Sequence, residues 1–297
     1  MSTRSLPLHR LLTLAALSWR DLARLRRMLP AYTSRGRPCS SSPLHRLLVA
    51  CVALRTHLTM RELAAVVGFS KSTVHRVVAV FTPRLAGLAR PPVRRDRRET
   101  WIVDGTLIPT RDHASAARSK NYRWSCNAQV LVQWRDRRVV ATSAGGPGNR
   151  NDPLHFRGSK IESLCLEHRR VPADGGYRGV ASLRIPVFRS NRIVRDRAWR
   201  RHRRRRARVE HVLARLKDWR VLRDHRRRGR HLAATVAAVA VLHHLRLNLW
   251  DSSWADGRPT PLTERPPPQG AVPSPGPGEA RLQAAGLPRS RPRSPPP

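Results

Sequence analysis

Acidic residues are scarce in this chain. Its 297 residues include 19 Asp and Glu against 59 Lys and Arg, a formal net charge of +40. GC-rich codon usage can choose Arg over Lys, and nearly every basic residue here is Arg. It does not explain why so few acids balance them. The excess points to a polyanionic partner, with nucleic acid the first candidate. Cysteine is also sparse. Cys39, Cys51, Cys126 and Cys165 are far apart and form no CxxC pair, which argues against a zinc site or a disulfide framework and for reduced cytoplasmic thiols. Long apolar runs are missing as well. Leu11 to Leu17 is cut short by Arg20 and Asp21, and Val236 to Leu249 is broken by His243, His244 and Arg246. Neither reads as a bilayer span, and no cleavage site follows the first. No internal repeat is visible.

Apolar residues nevertheless make up 40% of the chain, and they come in periodic blocks. Residues 1–90 read as helical. Leu8 to Met28 carries apolar residues at helical spacing. A Gly/Pro/Ser linker spans Arg35 to Pro43, and Pro43 to Arg55 is an apolar helix with Pro near its start. Residues 91–99 form a Pro-containing charged linker. The pattern then changes. Thr100 to Pro109, Ala128 to Trp134 and Arg138 to Ser143 read as strands, with a charged turn at Arg135–Arg137 between the last two. Asp152-Pro153 reads as a helix start with Asp as N-cap. Val171 to Asp174 reads as a strand end before a Gly turn. Arg203 to Arg223 reads as a long amphipathic helix and Leu232 to Leu249 as a closing one. About half of the prolines lie beyond Trp254, so 251–297 is expected to be a disordered Pro/Arg-rich tail. The fold class is α/β: a helical domain over 1–90, then a mixed-sheet domain over 100–250.

Within the helical part, residues 58–81 read LTMRELAAVVGFSKSTVHRVVAVF. Thr59 can cap one helix and Ser70 a second, with Gly68 in the tight turn between them. Met60, Leu63, Ala64, Val67, Val74, Val77, Val78 and Phe81 would face inward. Ser70, Lys71, Ser72, Thr73, His75 and Arg76 then lie on the outer, N-terminal half of the second helix. In a helix-turn-helix those positions approach base edges and phosphates in the major groove.

Three of the few acids stand in settings suited to metal chemistry. Asp104 ends the apolar run Trp101-Ile102-Val103, before Gly105. Asp174 ends a second strand-like run, before Gly175 and Gly176. Glu210 lies on the long helix, with Arg206 and Lys217 along its stripe and Val209, Val212, Leu213 and Leu216 on the neighbouring apolar side. A carboxylate at the edge of that buried face can bind a cation while Arg206 and Lys217 hold phosphate. Asp152, in GGPGNRND, ranks below these three, because a helix N-cap accounts for it equally well.

The segments WIVDGTLIPT, NAQVLV, GGPGNRND, VPADGGYRG and RRARVEHVLARLKDWRVLR together resemble bacterial insertion-sequence transposases of the DDE class, in the insertion-sequence-five group related to PIF/Harbinger elements. The resemblance spans roughly Leu6 to Trp250. It maps the three family acids onto Asp104, Asp174 and Glu210, the last within an R-x3-E-x6-K pattern at Arg206, Glu210 and Lys217. Thirty-five residues lie between Asp174 and Glu210, a spacing typical of the class. Arg203 stands where the family often has Tyr, and Gly175 where Lys is common.

The resemblance implies an RNase-H-like catalytic domain of the retroviral-integrase type. It further implies two Mg²⁺ or Mn²⁺ ions, with Asp104 bridging them and Asp174 and Glu210 each completing one site. The expected partners are double-stranded DNA (terminal inverted repeats and target) and further copies of the chain assembled on it, in the cytoplasm at the nucleoid and away from membranes. Two other readings stay open at this point: a catalytically inactive or domesticated transposase, and a helix-turn-helix regulator that only binds DNA.

Overall fold

The computed structural model describes residues 5–31, 40–89, 99–119, 122–143, 145–168, 171–228 and 231–247. All of them fall in the first of two units, Met1–Arg258. The second unit, Pro259–Pro297, lies outside the described residues, as do the whole of the expected tail from 251 and the linker positions 35–39 and 91–98.

The helical stretch expected from Leu8 to Met28 is two helices, α1 (Leu8–Ala15) and α2 (Trp19–Met28). Ala16 turns left-handed at φ 53°, and Ser18 then caps α2. The Ser18 hydroxyl accepts the Asp21 N–H at 3.2 Å and the Asp21 carboxylate accepts the Ser18 N–H at 2.9 Å. This reciprocal box satisfies two donors that a continuous helix would not have orphaned. α3 (Pro43–Arg55) is buried at every position from Leu47 to Val52, the mark of a helix surrounded by others. It packs against α1, α2 and α5 (Lys71–Ala86).

α4 (Met60–Val67) and α5 meet at 102°. Thr59 caps α4, Gly68 closes it at φ 71°, and Ser70 caps α5 by accepting the Thr73 N–H at 3.1 Å. Leu63, Ala64, Val67, Val74, Val77, Val78 and Phe81 are buried, so the expected inward face is the observed one. Ser70, Lys71, Ser72, His75 and Arg76 are exposed, and Thr73 is half-buried. Ser70 therefore has a structural duty whatever else it touches. Replacing it with Ala should lower stability by about 1 kcal/mol, read as a shifted urea midpoint; an unchanged midpoint would show the cap to be idle.

The sheet contains β1 (Trp101–Pro109), β2 (Ala117–Arg118), β3 (Trp124–Gln133), β4 (Val139–Thr142) and β5 (Gly146–Pro147). β1 runs antiparallel to β3, with Asp104 opposite Val130 and Gly105 opposite Gln129. The other edge of β3 takes β2, β5 and β4 in turn. Beyond β1, the Val103 N–H donates to Pro172 O at 3.3 Å, and Pro172 in turn bridges Arg184 in parallel. The order across the sheet is thus β4, β3, β1, the 171–173 segment, then Arg184.

Alternation along the strands divides the core into two layers. Trp101, Val103, Leu131 and Val140 face one layer with Phe156, Ile161 and Leu164 from α6 (Asp152–Phe156) and α7 (Lys160–Leu166). Ile102, Val130, Val132 and Val139 face the other, with Val209, Val212 and Leu216 of α8 (Arg197–Lys217) and the apolar length of α9 (His231–Arg246). A hairpin of β6 (Phe188–Arg189) and β7 (Arg192–Ile193), not expected from the sequence, precedes α8. α8 starts six residues earlier than periodicity suggests, because Asp196 caps it through the Trp199 N–H at 2.7 Å. α9 packs on both β4 and α5, so one continuous core runs from the sheet into the N-terminal helices. Among the described residues, no single helix is long and apolar enough to cross a membrane.

Candidate active site

Asp104 shares the α8-facing side of β1 with Ile102, and only 14% of its side chain is exposed. Its Oδ1 accepts the Gly105 N–H at 3.0 Å. Its Oδ2 lies 3.5 Å from a guanidinium nitrogen of Arg206. Burial pushes the carboxyl up to about 6; Arg206 and the Gly105 N–H oppose that rise, while the charges of Asp174 and Asp152 add to it. A carboxylate kept out of water beside two others is poised to gain from a cation.

Asp174 reaches the same place from the far side of β1. The 171–173 segment is held beside β1 at Val103, and Asp174 then caps the 3₁₀ turn Gly175–Tyr177, its Oδ1 accepting the Gly176 N–H at 2.6 Å. Its Oδ2 is 3.5 Å from the same Arg206 nitrogen. One guanidinium therefore joins the two aspartates. α8 is fixed there a turn earlier, where His202 Nε2 lies 2.9 Å from Ala173 O.

The structure brings Asp104, Asp174 and Arg206 together. It leaves Glu210 exposed on the next turn of α8, with no hydrogen bond or ion pair among the described residues. Lys217 is half-buried at the C-terminal end of α8, eleven positions after Arg206, about 16 Å along the helix axis. Ser70, Lys71, Ser72, Thr73, His75 and Arg76 lie on α5, apart from the aspartates.

Asp152 is not the N-cap that its sequence neighbours suggest. Asn151 is the N-cap of α6, and Asp152 occupies its first turn, so capping does not account for it. Its carboxylate points at the sheet, where Oδ1 accepts from Asn127 Nδ2 at 2.6 Å. Gln129 Nε2 holds the Asp152 carbonyl at 2.8 Å. Asn127 and Gln129, with Ser125, are buried polar residues at alternate positions of β3. That break in the pattern of NAQVLV is the sequence signal that something polar sits over this face. Tyr177 completes the surroundings. Its ring is fully buried, its hydroxyl has no hydrogen-bond partner among the described residues, and burial with the charges of Asp152, Asp104 and Asp174 raises the phenol.

The outer face of α8 is different in kind. Arg195 and Arg203 stack on Trp199 at 5.8 and 5.6 Å. Beside them a cavity of about 630 Å³ is lined by Arg197, Trp199, Arg200, Arg203, Arg204 and Ala207. Cations around an aromatic ring suit phosphate and base contacts.

Two carboxylates thus converge on Arg206 from β1 and from the strand end beside it, and comparison with known proteins gives the class of protein that carries them. Residues 103–244 match the family described as DDE superfamily endonuclease, a span that contains Asp104, Asp152, Asp174, Arg206 and Glu210. The chain is 40% identical over 218 residues, 72% of its own length and 84% of the relative's, to the putative transposase for insertion sequence element IS112 of Streptomyces albus G. No solved structure matches it significantly. The chain belongs to the DDE-type insertion-sequence transposases.

Proposed function

We propose that this chain binds the ends of an insertion sequence and carries out metal-dependent cleavage and strand transfer there. The observation that carries the reading is the meeting of Asp104 and Asp174 on Arg206, from separate elements of one sheet. Glu210, one turn further along α8, is the third acid. The order β4, β3, β1, 171–173, Arg184 supports an RNase-H-like catalytic domain over 100–250, and the DGT, A-D-x-G-Y and R-x3-E-x6-K segments support the insertion-sequence-five group and the PIF/Harbinger relation.

Hard divalent cations suit this site. The donors are carboxylate oxygens, the charges of Asp174 and Asp152 reach the buried Asp104, and buried oxygens of Asn127 and Tyr177 have no partner among the described residues, although no three acid or histidine side chains there stand as a ready-made cation site. Asp104, Asp174 and Glu210 would hold Mg²⁺ or Mn²⁺. When bound, two such ions stabilise the entering and leaving oxygens of an in-line displacement. The residues themselves divide the remaining work. Asp104, fixed on the sheet, sets where the scissile phosphate must lie. Arg206 is within reach of a phosphate oxygen once its aspartates have another cation to neutralise. The Arg/Trp face of α8 continues that positive surface outward.

The exposed half of α5, with Lys71, Ser72, Thr73, His75 and Arg76, is the reading element in a helix-turn-helix over 58–81, within a DNA-binding domain over 1–90. The 102° angle and the two caps support this. Two element ends must be joined in one event, so the acting form is a homo-oligomer on DNA.

The test is a strand-cleavage assay on the flanking inverted repeats, with and without Mg²⁺ or Mn²⁺. Metal-dependent nicking at the ends, lost in Asp174→Asn, is the expected result. Tight binding of those ends with no nicking in either metal would leave only a DNA-binding protein. In the same assay Arg76→Ala should weaken binding to the ends about tenfold while leaving nicking of bound DNA intact; undiminished affinity would remove α5 as the reading element.

A further inference from the structure

Asp152 stands out as an acid that neither capping nor an ion pair explains. It is held by Asn127 and, through its backbone, by Gln129, two residues that are 5% and 0% exposed. Three polar side chains, those of Asp104, Asp152 and Asn127, therefore meet at one backbone position, Gly105. Asp104 folds its Oδ1 onto the Gly105 N–H at 3.0 Å. Asp152 brings its own Oδ1 over the Gly105 Cα, where a Cβ would lie 2.0 Å from that oxygen and 3.2 Å from Asn127 Oδ1. A Cβ at this position would therefore displace the Asp152 carboxylate, and it is this close approach rather than the backbone angles that the bare glycine permits. Asn127 Oδ1 and the Tyr177 hydroxyl, both on buried side chains, have no hydrogen-bond partner among the described residues.

We infer that Asp152 is a further oxygen ligand for the cation held by Asp104, with Gly105 kept bare so that the two carboxylates can share it. The inference rests on the metal-dependent reading above. Two adjacent carboxylates repel each other unless a cation lies between them or one holds a proton. Arg206 touches Asp104 and Asp174 but makes no ion pair with Asp152, so the negative charge at Gly105 is only partly offset. The orphaned amide oxygen and phenol are suited to holding water around a hard cation, which keeps part of its hydration shell. The site takes a small divalent ion, Mg²⁺ or Mn²⁺, and it draws on a helix of the α6/α7 layer as well as on α8.

Mn²⁺ binding to the full-length protein, followed by electron paramagnetic resonance of the free ion, tests this without any DNA. Asp152→Asn is nearly isosteric and keeps an oxygen to accept from Asn127 Nδ2, so the fold is retained. Its affinity for Mn²⁺ should fall at least tenfold. Gly105→Ala leaves every carboxylate in the sequence but puts a methyl group where the Asp152 oxygen lies, and it should weaken Mn²⁺ similarly. Asp104→Asn serves as the reference for loss of the site. If Asp104→Asn loses Mn²⁺ while Asp152→Asn binds it as the parent does, the inference is wrong and the functional reading stands. If the parent binds no Mn²⁺, both fall together.

Discussion

Lowering the pH from 7 to 5 should cost this protein about 6 kcal/mol of folding stability through three buried histidines alone. Burial lowers His225 and His243 to about 4 and His244 to about 3, against an ordinary value of 6.5. The sign follows directly. Below 6.5 the unfolded chain takes up three protons that the folded chain refuses until pH 4 or lower. Stability is therefore fully present above 6.5 and drains away as the pH falls. At pH 5 each histidine accounts for about 2 kcal/mol. The geometry explains the refusal. His244 Nε2 accepts the Val139 N–H at 2.9 Å, a role that a protonated ring nitrogen cannot fill. His225 is walled in between Pro109 and Arg111 on the backbone side and Thr235 on the ring side, where its Nε2 lies 3.3 Å from Oγ1. Asp104 works the other way, gaining stability as it protonates, but by about 1 kcal/mol at pH 5. The net loss is a large share of the 5–15 kcal/mol that domains of this kind possess. Urea midpoints measured between pH 7 and pH 5 should fall steeply, with about three protons taken up by these histidines on unfolding at pH 5.5 and about one released by Asp104, a net uptake near two from the four groups. A flat midpoint over that range would mean that the histidines are not held neutral.

The second large effect separates stability from function at one residue. Asp104→Asn should abolish metal-dependent cleavage, by a thousandfold or more, and at the same time make the protein more stable at pH 8. Asp104 is raised from 3.8 to about 6. Above pH 6 the folded state therefore carries a charge that costs about 3 kcal/mol to keep out of water. Between 3.8 and 6 that cost shrinks as the folded state holds its proton, and below 3.8 it is gone. Asparagine keeps the bond from the Gly105 N–H and removes the charge, and Arg206 retains Asp174 as a partner. The gain in melting temperature should thus be several degrees at pH 8 and close to zero at pH 4. A variant that melts with the parent at pH 8, or that still nicks element ends at the parent rate, would contradict this account.

Much of this site was legible in the sequence because strands and helices impose simple periods. Asp104 was placed by the apolar run before it and the glycine after it, and β1 begins and ends within a residue of where those signals put it. The two caps and the turn glycine of α4 and α5 were readable for the same reason, since capping is local chemistry. What escaped depends on partners distant in the chain. Asp152 looks like a helix cap from its neighbours Asn151 and Pro153. Only the folded sheet sets it against Asn127, Gln129 and Gly105. The sequence marks Arg206 as a candidate phosphate ligand but not its position astride two aspartates, because α8 is fixed against the sheet by Asp196 and His202. The hairpin at 188–193 has only two residues per strand, too few for alternation to register.

The placement of α9 bears on how such proteins can be recombined. This helix is apolar on all sides and lies against both β4 and α5. The seam implied by the charged linker at 91–99 is therefore a seam in the chain and not in the packing. Grafting a foreign N-terminal segment at that junction would strip α9 of its cover on one flank, leaving a greasy surface in water. On the reading of α5 proposed above, new target preferences should then arise by changing its exposed residues in place, rather than by trading whole N-terminal segments.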